Sequence, residues 1–170
     1  MIRFEKVSFE QFKNDYNKLF ATEHVDALEE YIRQVYDNIK LPERATIDSA
    51  GYDFFAPFTF EVPTGKKAIT IPTGIRFVTD YPNIFLLLLP RSGQGFKYGL
   101  SLMNTAGVID SDYQYAGNEG HIMAKISAKQ KFIINQDQGY MQGIITPYYN
   151  VDNDLATNVR SGGFGSTDKK

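Results

Sequence analysis

Two neighbouring segments of the chain carry the side chains best suited to chemistry. Arg91, Ser92 and Gly93 come shortly after the apolar run of residues 84–89. A guanidinium, a hydroxyl group and the backbone amides beside a glycine are donors that suit a phosphate group. Residues 107–113 (GVIDSDY) then bring two carboxylates and an aromatic ring out of another apolar stretch. The short separation predicts that the phosphate-binding residues, the carboxylates and the ring lie in one hairpin-like unit.

The residue content excludes several other chemistries. The chain has no cysteine, so disulfides and thiolate metal sites are excluded, and its two histidines are His24 and His121. A zinc site would need both histidines together with carboxylates. A serine hydrolase would need His121 as its base, but the sequence lacks a G-x-S-x-G pattern, and it also lacks the glycine patterns of nucleotide-binding loops. What remains is a carboxylate, Asp110 or Asp112, that works with phosphate-binding groups. This combination suits Mg²⁺ and indicates hydrolysis of a phosphoester or phosphoanhydride.

The N-terminal region is predicted to be helical. Apolar residues recur at helical spacing over residues 8–40, and Ser8 forms a capping-box pattern with Gln11 at the start of the first helix. A second helix is predicted to start near Thr22 and to be ended by Pro42. One interpretation is a helical hairpin that packs on the rest of the domain. The other is a docking surface for a partner protein, because the aromatic-rich faces can exceed what one domain covers.

The elements that would position the phosphate-binding residues and the carboxylates are strands. Over residues 45–150, turn signals alternate with short runs rich in Phe, Ile, Val and Thr. Many short strands at this spacing indicate a mainly β protein, either a barrel or a double-sheet jelly roll. The predicted strands cover residues 2–7, 68–71, 75–79, 84–89, 121–127, 131–134 and 143–149.

Length and charge define the general class of the protein. A chain of 170 residues is long enough for one domain with a sizeable core. Its formal net charge of −2 argues against a nucleic-acid partner. The N-terminus does not have the pattern of a secretory signal, and the apolar run ending at Pro90 is too short to span a membrane. The sequence therefore predicts a cytoplasmic protein without a nucleic-acid or membrane partner.

The C-terminal residues 158–170 allow two interpretations. They are rich in glycine and polar residues and hold a single aromatic ring. One interpretation is a frayed terminus. The other is a mobile arm that closes over a nucleotide, because an arginine, free backbone amides, hydroxyl groups and a ring together make a phosphate cradle with a stacking surface.

Five segments resemble, in order, the motifs of the homotrimeric dUTP pyrophosphatases, the dUTPase family. They are residues 50–54 (AGYDF), 90–93 (PRSG), 104–113 (NTAGVIDSDY), 142–147 (QGIITP) and 162–167 (GGFGST). The resemblance covers about residues 45–170. It implies a jelly-roll-like dUTPase β-barrel subunit with an N-terminal two-helix insertion and a flexible C-terminal arm. The insertion has no counterpart in the compact family pattern and resembles that of divergent phage or prophage members.

The resemblance also implies an activity and an assembly. The reaction would be Mg²⁺-assisted hydrolysis of dUTP to dUMP and pyrophosphate, in a homotrimer with active sites at the subunit interfaces. Asp110 would be the general base that polarises the water attacking the α-phosphorus, and Tyr113 would pack under the deoxyribose. Asp53 would hold Mg²⁺ through water. The remaining predicted substrate-binding residues are Arg91, Ser92, Gly93, Asn104, Gly107, Ile109, Gln142, Arg160, Phe164, Gly165, Ser166 and Thr167, of which Phe164 would stack on uracil.

Several alternatives stay open at this point. Asp53 could pair with an arginine instead of serving a metal, and Tyr113 could be a core tyrosine. The fourth segment lacks the arginine usual in the family, and residues 114–120 form a longer connection than usual. The dCTP deaminases share the implied fold but place a glutamate in the strand after the hairpin, where this chain has only Glu119 nearby. A repressor or other protein partner could bind the N-terminal helices.

Overall fold

The computed structural model describes residues 1–20, 26–158 and 160. In this part of the chain the helices are α1 (Phe9–Phe20), α2 (Asp26–Asp37) and α3 (Ser92–Tyr98), with a 3-10 turn at Ser111–Tyr115. The strands are β1 (Ile2–Lys6), β2 (Gly51–Phe55), β3 (Phe60–Val62), β4 (Ile69–Pro72), β5 (Ile75–Thr79), β6 (Ile84–Pro90), β7 (Ser101–Leu102), β8 (Gly107–Asp110), β9 (Met123–Ser127), β10 (Phe132–Ile134) and β11 (Gly139–Pro147). None of the helices described is long and apolar enough to cross a membrane.

Antiparallel pairing joins these strands into four sheets. The largest has the order β2-β11-β6-β8, a second has the order β4-β9-β7, and the pairs β1-β5 and β10-β3 complete the set. The prediction of a mainly β protein with an N-terminal helical pair is therefore confirmed. β11 begins at Gly139, four residues before the predicted start at Gly143, and β2 and β3 were not predicted.

The N-terminal helices pack on the β body rather than standing apart from it. Phe12 of α1 and Ile32 of α2 are fully buried, and Phe9 and Tyr16 are nearly so. Most of the aromatic surface that suggested a docking site is thus covered by the chain itself, while Leu19 and Tyr31 stay exposed. The second helix ends at Asp37 and not at Pro42, and its predicted start near Thr22 lies outside the described residues.

The capping pattern at the start of α1 is completed from a distant part of the chain. The Ser8 hydroxyl accepts the backbone N–H of Gln11 at 3.1 Å, as the sequence predicts. The Gln11 side chain, however, donates to Asp15 at 2.6 Å instead of accepting from Ser8. Glu119 takes that place, because its carboxylate accepts both the N–H and the hydroxyl of Ser8 at 2.7 Å. One carboxylate therefore caps the helix and ties it to the β body.

A buried hydrogen bond to a carboxylate makes a second attachment of α1. Asp15 lies on the inner face of the helix, and its Oδ2 is 2.7 Å from Nδ1 of His121. His121 has no exposed surface, and its Nε2 accepts the backbone N–H of Gly74 at 2.8 Å. Because Nε2 accepts, Nδ1 carries the proton that is donated to Asp15. Both ring nitrogens are therefore used in fixing the helix.

Acid is expected to loosen α1 from the β body. Burial alone would raise the pKa of Asp15, but hydrogen bonds from His121 and Gln11 outweigh it and hold the pKa below its ordinary value of 3.8. Such a carboxyl stabilises the fold above its ordinary pKa, and the contribution is lost as the pH falls through the folded-state value. We expect hydrogen-exchange protection factors of the α1 amides to fall below about pH 4. An Asp15→Asn variant with the same acid sensitivity as the parent would contradict this expectation.

Helix α3 follows directly after Arg91, where no helix was predicted. Its seven residues include two glycines, and each glycine costs about 1 kcal/mol relative to alanine in a helix. Tertiary contacts hold it in place, since Gln94 donates from Nε2 to the carbonyl of Gly139 at 2.8 Å. The Tyr98 ring stacks on Phe132 with the ring centroids 4.1 Å apart. Gly99 ends the helix with a left-handed φ of 66°.

Candidate active site

Strand β6 separates the residues that were predicted to act together. One end of the strand pairs Phe85 with Asp110, whereas the other end pairs Leu89 with Gln142. Residues 85–90 of an extended strand span about 17 Å. The prediction that the phosphate-binding residues and the carboxylates lie in one hairpin-like unit is therefore wrong for a single chain. The site consists of two parts, here called the phosphate end and the carboxylate end of β6.

The phosphate end gathers residues from three strands and α3. Gln142 of β11 pairs with Asp53 of β2 on one side and with Leu89 of β6 on the other. Arg91 Nη2 lies 3.3 Å from Asp53 Oδ2, so Asp53 does pair with an arginine. A cavity of about 450 Å³ opens beside them and is lined by Leu89, Pro90, Arg91, Ser92, Gly95, Phe96, Leu100 and Gln142. Arg91, Ser92 and Gln142, three of the predicted substrate-binding residues, thus share one cavity.

Two glycines at the phosphate end leave room for side chains or a ligand. A Cβ placed on Gly51 would lie 2.6 Å from Oε1 of Gln142, so only glycine allows this position of the glutamine side chain. A Cβ on Gly93 would meet nothing within 4 Å. Packing within the described chain therefore does not require a glycine at position 93, and the open space above it is available to a bound group.

The side chains at the phosphate end are suited to a magnesium ion that is bound together with substrate phosphates. In the described part of the chain, no three His, Asp or Glu side chains gather into a group that could hold a metal ion by themselves. Mg²⁺ commonly keeps several waters and binds through one or two carboxylates together with substrate phosphates. Asp53 is a mostly buried carboxylate beside the Arg91 guanidinium, and this arrangement suits a carboxylate that contacts the water shell of such an ion.

The carboxylate end is organised by Arg160. Its Nη2 lies 2.5 Å from Asp110 Oδ2, and its Nε lies 2.7 Å from Asp112 Oδ1. Both carboxylates have side chains that are 49% exposed, so neither is hidden from solvent. Exposure and partner are therefore the same for Asp110 and Asp112, and these features do not separate the two candidate bases.

Tyr113 lies beneath this ion-pair group. The Arg160 guanidinium is 5.8 Å from the centre of the tyrosine ring, a distance at which a cation–π interaction is favourable. The Tyr113 hydroxyl donates to the carbonyl of His121 at 3.0 Å and accepts from Nδ2 of Asn118 at 2.8 Å. Burial raises the pKa of Tyr113 above its ordinary value. With only 4% of its surface exposed, Tyr113 is part of the core, and its ring lies beside the arginine that pairs with the two carboxylates.

Residues 104–109 connect two sheets and do not form a simple hairpin. β7 pairs with β9 and β8 pairs with β6, so the connection passes from one sheet to the other. A Cβ on Gly107 would lie 3.0 Å from Leu88, which explains the close approach of β8 and β6. The Ile109 side chain is buried, so only its backbone can meet a ligand. β8 is the last strand of its sheet in the described chain, which leaves one backbone edge for such contacts.

Asn104 lines a second cavity, separate from the one at the phosphate end. This cavity has a volume of about 500 Å³, and its lining is mainly apolar. Its other lining residues are Leu19, Thr70, Met103, Met123 and Lys125. Sequence reasoning did not anticipate it, since these residues come from four separate parts of the chain.

Arg160 is the part of the predicted C-terminal arm whose contacts are described. The arm was predicted over residues 158–170, but Phe164, Gly165, Ser166 and Thr167 lie outside the described residues. Sequence reasoning assigned Arg160 to phosphates and missed its pairing with the two carboxylates. It also missed Asn118 and His121 as partners of Tyr113, although the unusual length of residues 114–120 marked this connection.

Comparison with known proteins identifies the family of this chain. The family model described as dUTPase matches residues 37–168. The deoxyuridine 5′-triphosphate nucleotidohydrolase of Burkholderia multivorans is 38% identical over 138 residues, which cover 75% of this chain and 88% of the relative. The enzyme of the same name from Lactococcus lactis is 35% identical over 134 residues, which cover 76% and 88% of the two chains. The chain therefore belongs to the dUTPase family of enzymes, as the resemblance predicted.

Solved structures agree with this assignment. The crystal structure of the dUTPase from Streptococcus mutans has a TM-score of 0.63 and 29% identity, and the match covers 88% of this chain and 98% of that one. The dUTPase of Staphylococcus bacteriophage 80alpha has a TM-score of 0.60 and 16% identity, and the match covers 95% of this chain and 99% of that one. The predicted jelly-roll-like dUTPase fold is confirmed.

Proposed function

We propose that this chain hydrolyses dUTP to dUMP and pyrophosphate. The observation that carries the proposal is the match of the dUTPase family model to residues 37–168, a range that includes both ends of β6. At one end Arg91 and Gln142 supply hydrogen-bond donors beside an open cavity, as phosphates require. At the other end Asp110 supplies an exposed carboxylate that can orient water.

The separation of the two ends supports active sites at the interfaces of a homotrimer. A general base acts on a water molecule that must lie about 3–3.5 Å from the attacked phosphorus. Asp110 and the Arg91 cavity of one chain are separated by about 17 Å of strand and therefore cannot serve the same phosphate group. A second subunit that places its phosphate end beside Asp110 of the first would complete the site. Rotational symmetry then repeats this site at every interface.

Each of the described residues has a distinct role in this proposal. Asp110 accepts the proton of the attacking water, and Tyr113 packs under the deoxyribose and leaves no room for a 2′-hydroxyl. The backbone edge of β8 and the connection before it face uracil. The phosphates are held by Arg91, Ser92, the amide of Gly93, Gln142 and Arg160. Mg²⁺, when bound with the phosphates, would neutralise their charge, and Asp53 would hold its water shell.

The proposal is tested by measuring pyrophosphate release with Mg²⁺ from dUTP, UTP, dTTP and dCTP in parallel. Release from dUTP alone is expected, with the other three at least about a hundredfold slower, because groups built to fit one base and one sugar reject close analogues. Equal release from dUTP and UTP would contradict the role of Tyr113. Absence of release from all four would overturn the proposed activity.

Deamination of dCTP was the other reaction considered for this fold. Its candidate catalytic residue, Glu119, is engaged elsewhere in the structure. Glu119 is the carboxylate nearest to the strand in which a deaminase carries its glutamate. Both of its oxygens accept hydrogen bonds from Ser8 at 2.7 Å, and the group is part of the helix attachment. Ammonia release from dCTP in the same assay would show that this reasoning is wrong.

A further inference from the structure

The connection between Tyr113 and β9 is held in place by helix α1. Glu119 accepts two hydrogen bonds from Ser8, and His121 pairs with Asp15 at 2.7 Å. Glu119 adopts a φ of 58°, in the left-handed region that a non-glycine residue seldom occupies. Such a conformation persists where its surroundings hold it, and here the hydrogen bonds from Ser8 do so. Residues 116–121, here called the tyrosine clamp, are thus fixed at two points by one helix.

The tyrosine clamp in turn holds Tyr113 by its hydroxyl and by its backbone. The hydroxyl donates to the carbonyl of His121 and accepts from Asn118, while the Tyr113 carbonyl accepts the N–H of Ala116 at 3.0 Å. A Cβ on Gly120 would lie 2.8 Å from the Tyr113 carbonyl oxygen, so the clamp packs directly on the backbone of the tyrosine. Movement of the clamp would therefore move the ring.

We propose that α1 positions Tyr113 for recognition of the nucleotide sugar, with Asp15 and Glu119 as positioning residues that act through the tyrosine clamp. The inference rests on the proposed function, in which Tyr113 contacts the deoxyribose. Neither carboxylate touches the substrate. Helix α1, which the compact family pattern lacks, thereby contributes to the preference of the enzyme for dUTP over UTP.

The kinetic signature of this role differs from that of general destabilisation. Asp110 is carried by β8, which is held in place by its pairing with β6. Loosening the clamp should therefore weaken sugar binding and leave the hydrolytic step unchanged. The expected result is a higher KM and a lower preference for dUTP over UTP at nearly constant kcat.

The test compares Asp15→Ala with the parent, using both dUTP and UTP. Removal of the carboxylate leaves the buried Nδ1–H of His121 without its acceptor, and the clamp loses one attachment. We expect KM for dUTP to rise about tenfold and kcat to stay within about twofold of the parent value. The ratio of kcat/KM values for dUTP and UTP should fall in parallel. Glu119→Gln, which disturbs the other attachment, should change the same quantities in the same direction.

Two further variants serve as controls. One replaces Asp15 conservatively, and the other changes a neighbouring residue of the same helix. Asp15→Asn keeps an oxygen that can accept from His121 and should restore KM towards the parent value. Asn14→Ala changes an exposed neighbour in the same helix turn and should behave as the parent does. A parent-like KM and a parent-like dUTP preference in Asp15→Ala would overturn the proposal. A fall in kcat alone would overturn it as well.

Amide hydrogen exchange gives a readout that does not depend on turnover. The N–H groups of Glu119 and His121 are bonded within the clamp, and that of Ala116 is bonded to the Tyr113 carbonyl. Exchange of all three should accelerate in Asp15→Ala but not in Asn14→Ala. Unchanged exchange would overturn the proposal whatever the kinetics. A parent protein that releases no pyrophosphate would overturn the proposed function, and the sugar role with it. These two failures are therefore distinguishable.

Discussion

Replacement of Asp110 by asparagine is expected to lower kcat for dUTP by about a thousandfold, the range of effect expected when a general base is removed. The side chain keeps its shape and an oxygen that can accept from Arg160, so the variant should still bind dUTP. Pyrophosphate release at saturating dUTP measures the effect on kcat, and a binding titration of the variant with dUTP measures the effect on affinity.

Asp112→Asn is the matched control for this result. Asp112 has the same exposed fraction and the same arginine partner as Asp110, so the two substitutions remove equal charge from the same group. We expect Asp112→Asn to retain kcat within about tenfold, because a neighbouring charge acts on the site only through solvent and Arg160. If Asp112→Asn loses turnover and Asp110→Asn keeps it, the roles of the two carboxylates are reversed.

Two inactive variants are expected to regain activity when their subunits assemble together. Asp110→Asn damages the carboxylate end of β6, and Arg91→Gln damages the phosphate end while keeping a shorter amide donor beside Asp53. If each site takes one end from each of two subunits, random assembly of equal amounts leaves both ends intact in about one quarter of the sites. Refolding the two variants as a mixture and measuring pyrophosphate release tests this expectation.

A control mixture distinguishes activity recovered by complementation from activity that refolding alone restores. Asp110→Asn mixed with the double variant Asp110→Asn, Arg91→Gln cannot form an intact site in any arrangement and should stay inactive. Different affinity tags on the two subunits would establish that mixed oligomers are present. Mixed oligomers without recovered activity would mean that each site is built from a single chain, in conflict with the proposed interface sites.

The local features of this fold could be predicted from the sequence. β5 has the bounds that were predicted, Ile75–Thr79, because turn residues flank a short run of alternating burial. Ser8 caps the start of α1, as its sequence pattern indicates. The residues of the phosphate end were also identified, since an arginine, a serine and a glycine after an apolar run are informative by type alone.

The arrangement of the site could not be predicted, because it depends on pairing between distant residues. Asp110 and Arg91 are close in sequence, but the antiparallel register of β8 with β6 places them at opposite ends of one strand. Glu119 completes the cap of α1 by bonding Ser8, 111 positions earlier, and no local pattern encodes such a contact. Helix α3 forms against its own propensity because its neighbours hold it.

The double pairing of Arg160 has a consequence for how a nucleotide enters. Because the guanidinium is already engaged with Asp110 and Asp112, a phosphate that binds Arg160 as proposed would take the place of two carboxylates and not only of water. Its binding would be an exchange between anions, and the net gain would be the difference between two strong interactions. Transfer of Arg160 to the phosphates would also remove the cation from Oδ2 of Asp110 and make that oxygen available to a water molecule. The proposed base would thus gain its full capacity only with the substrate bound.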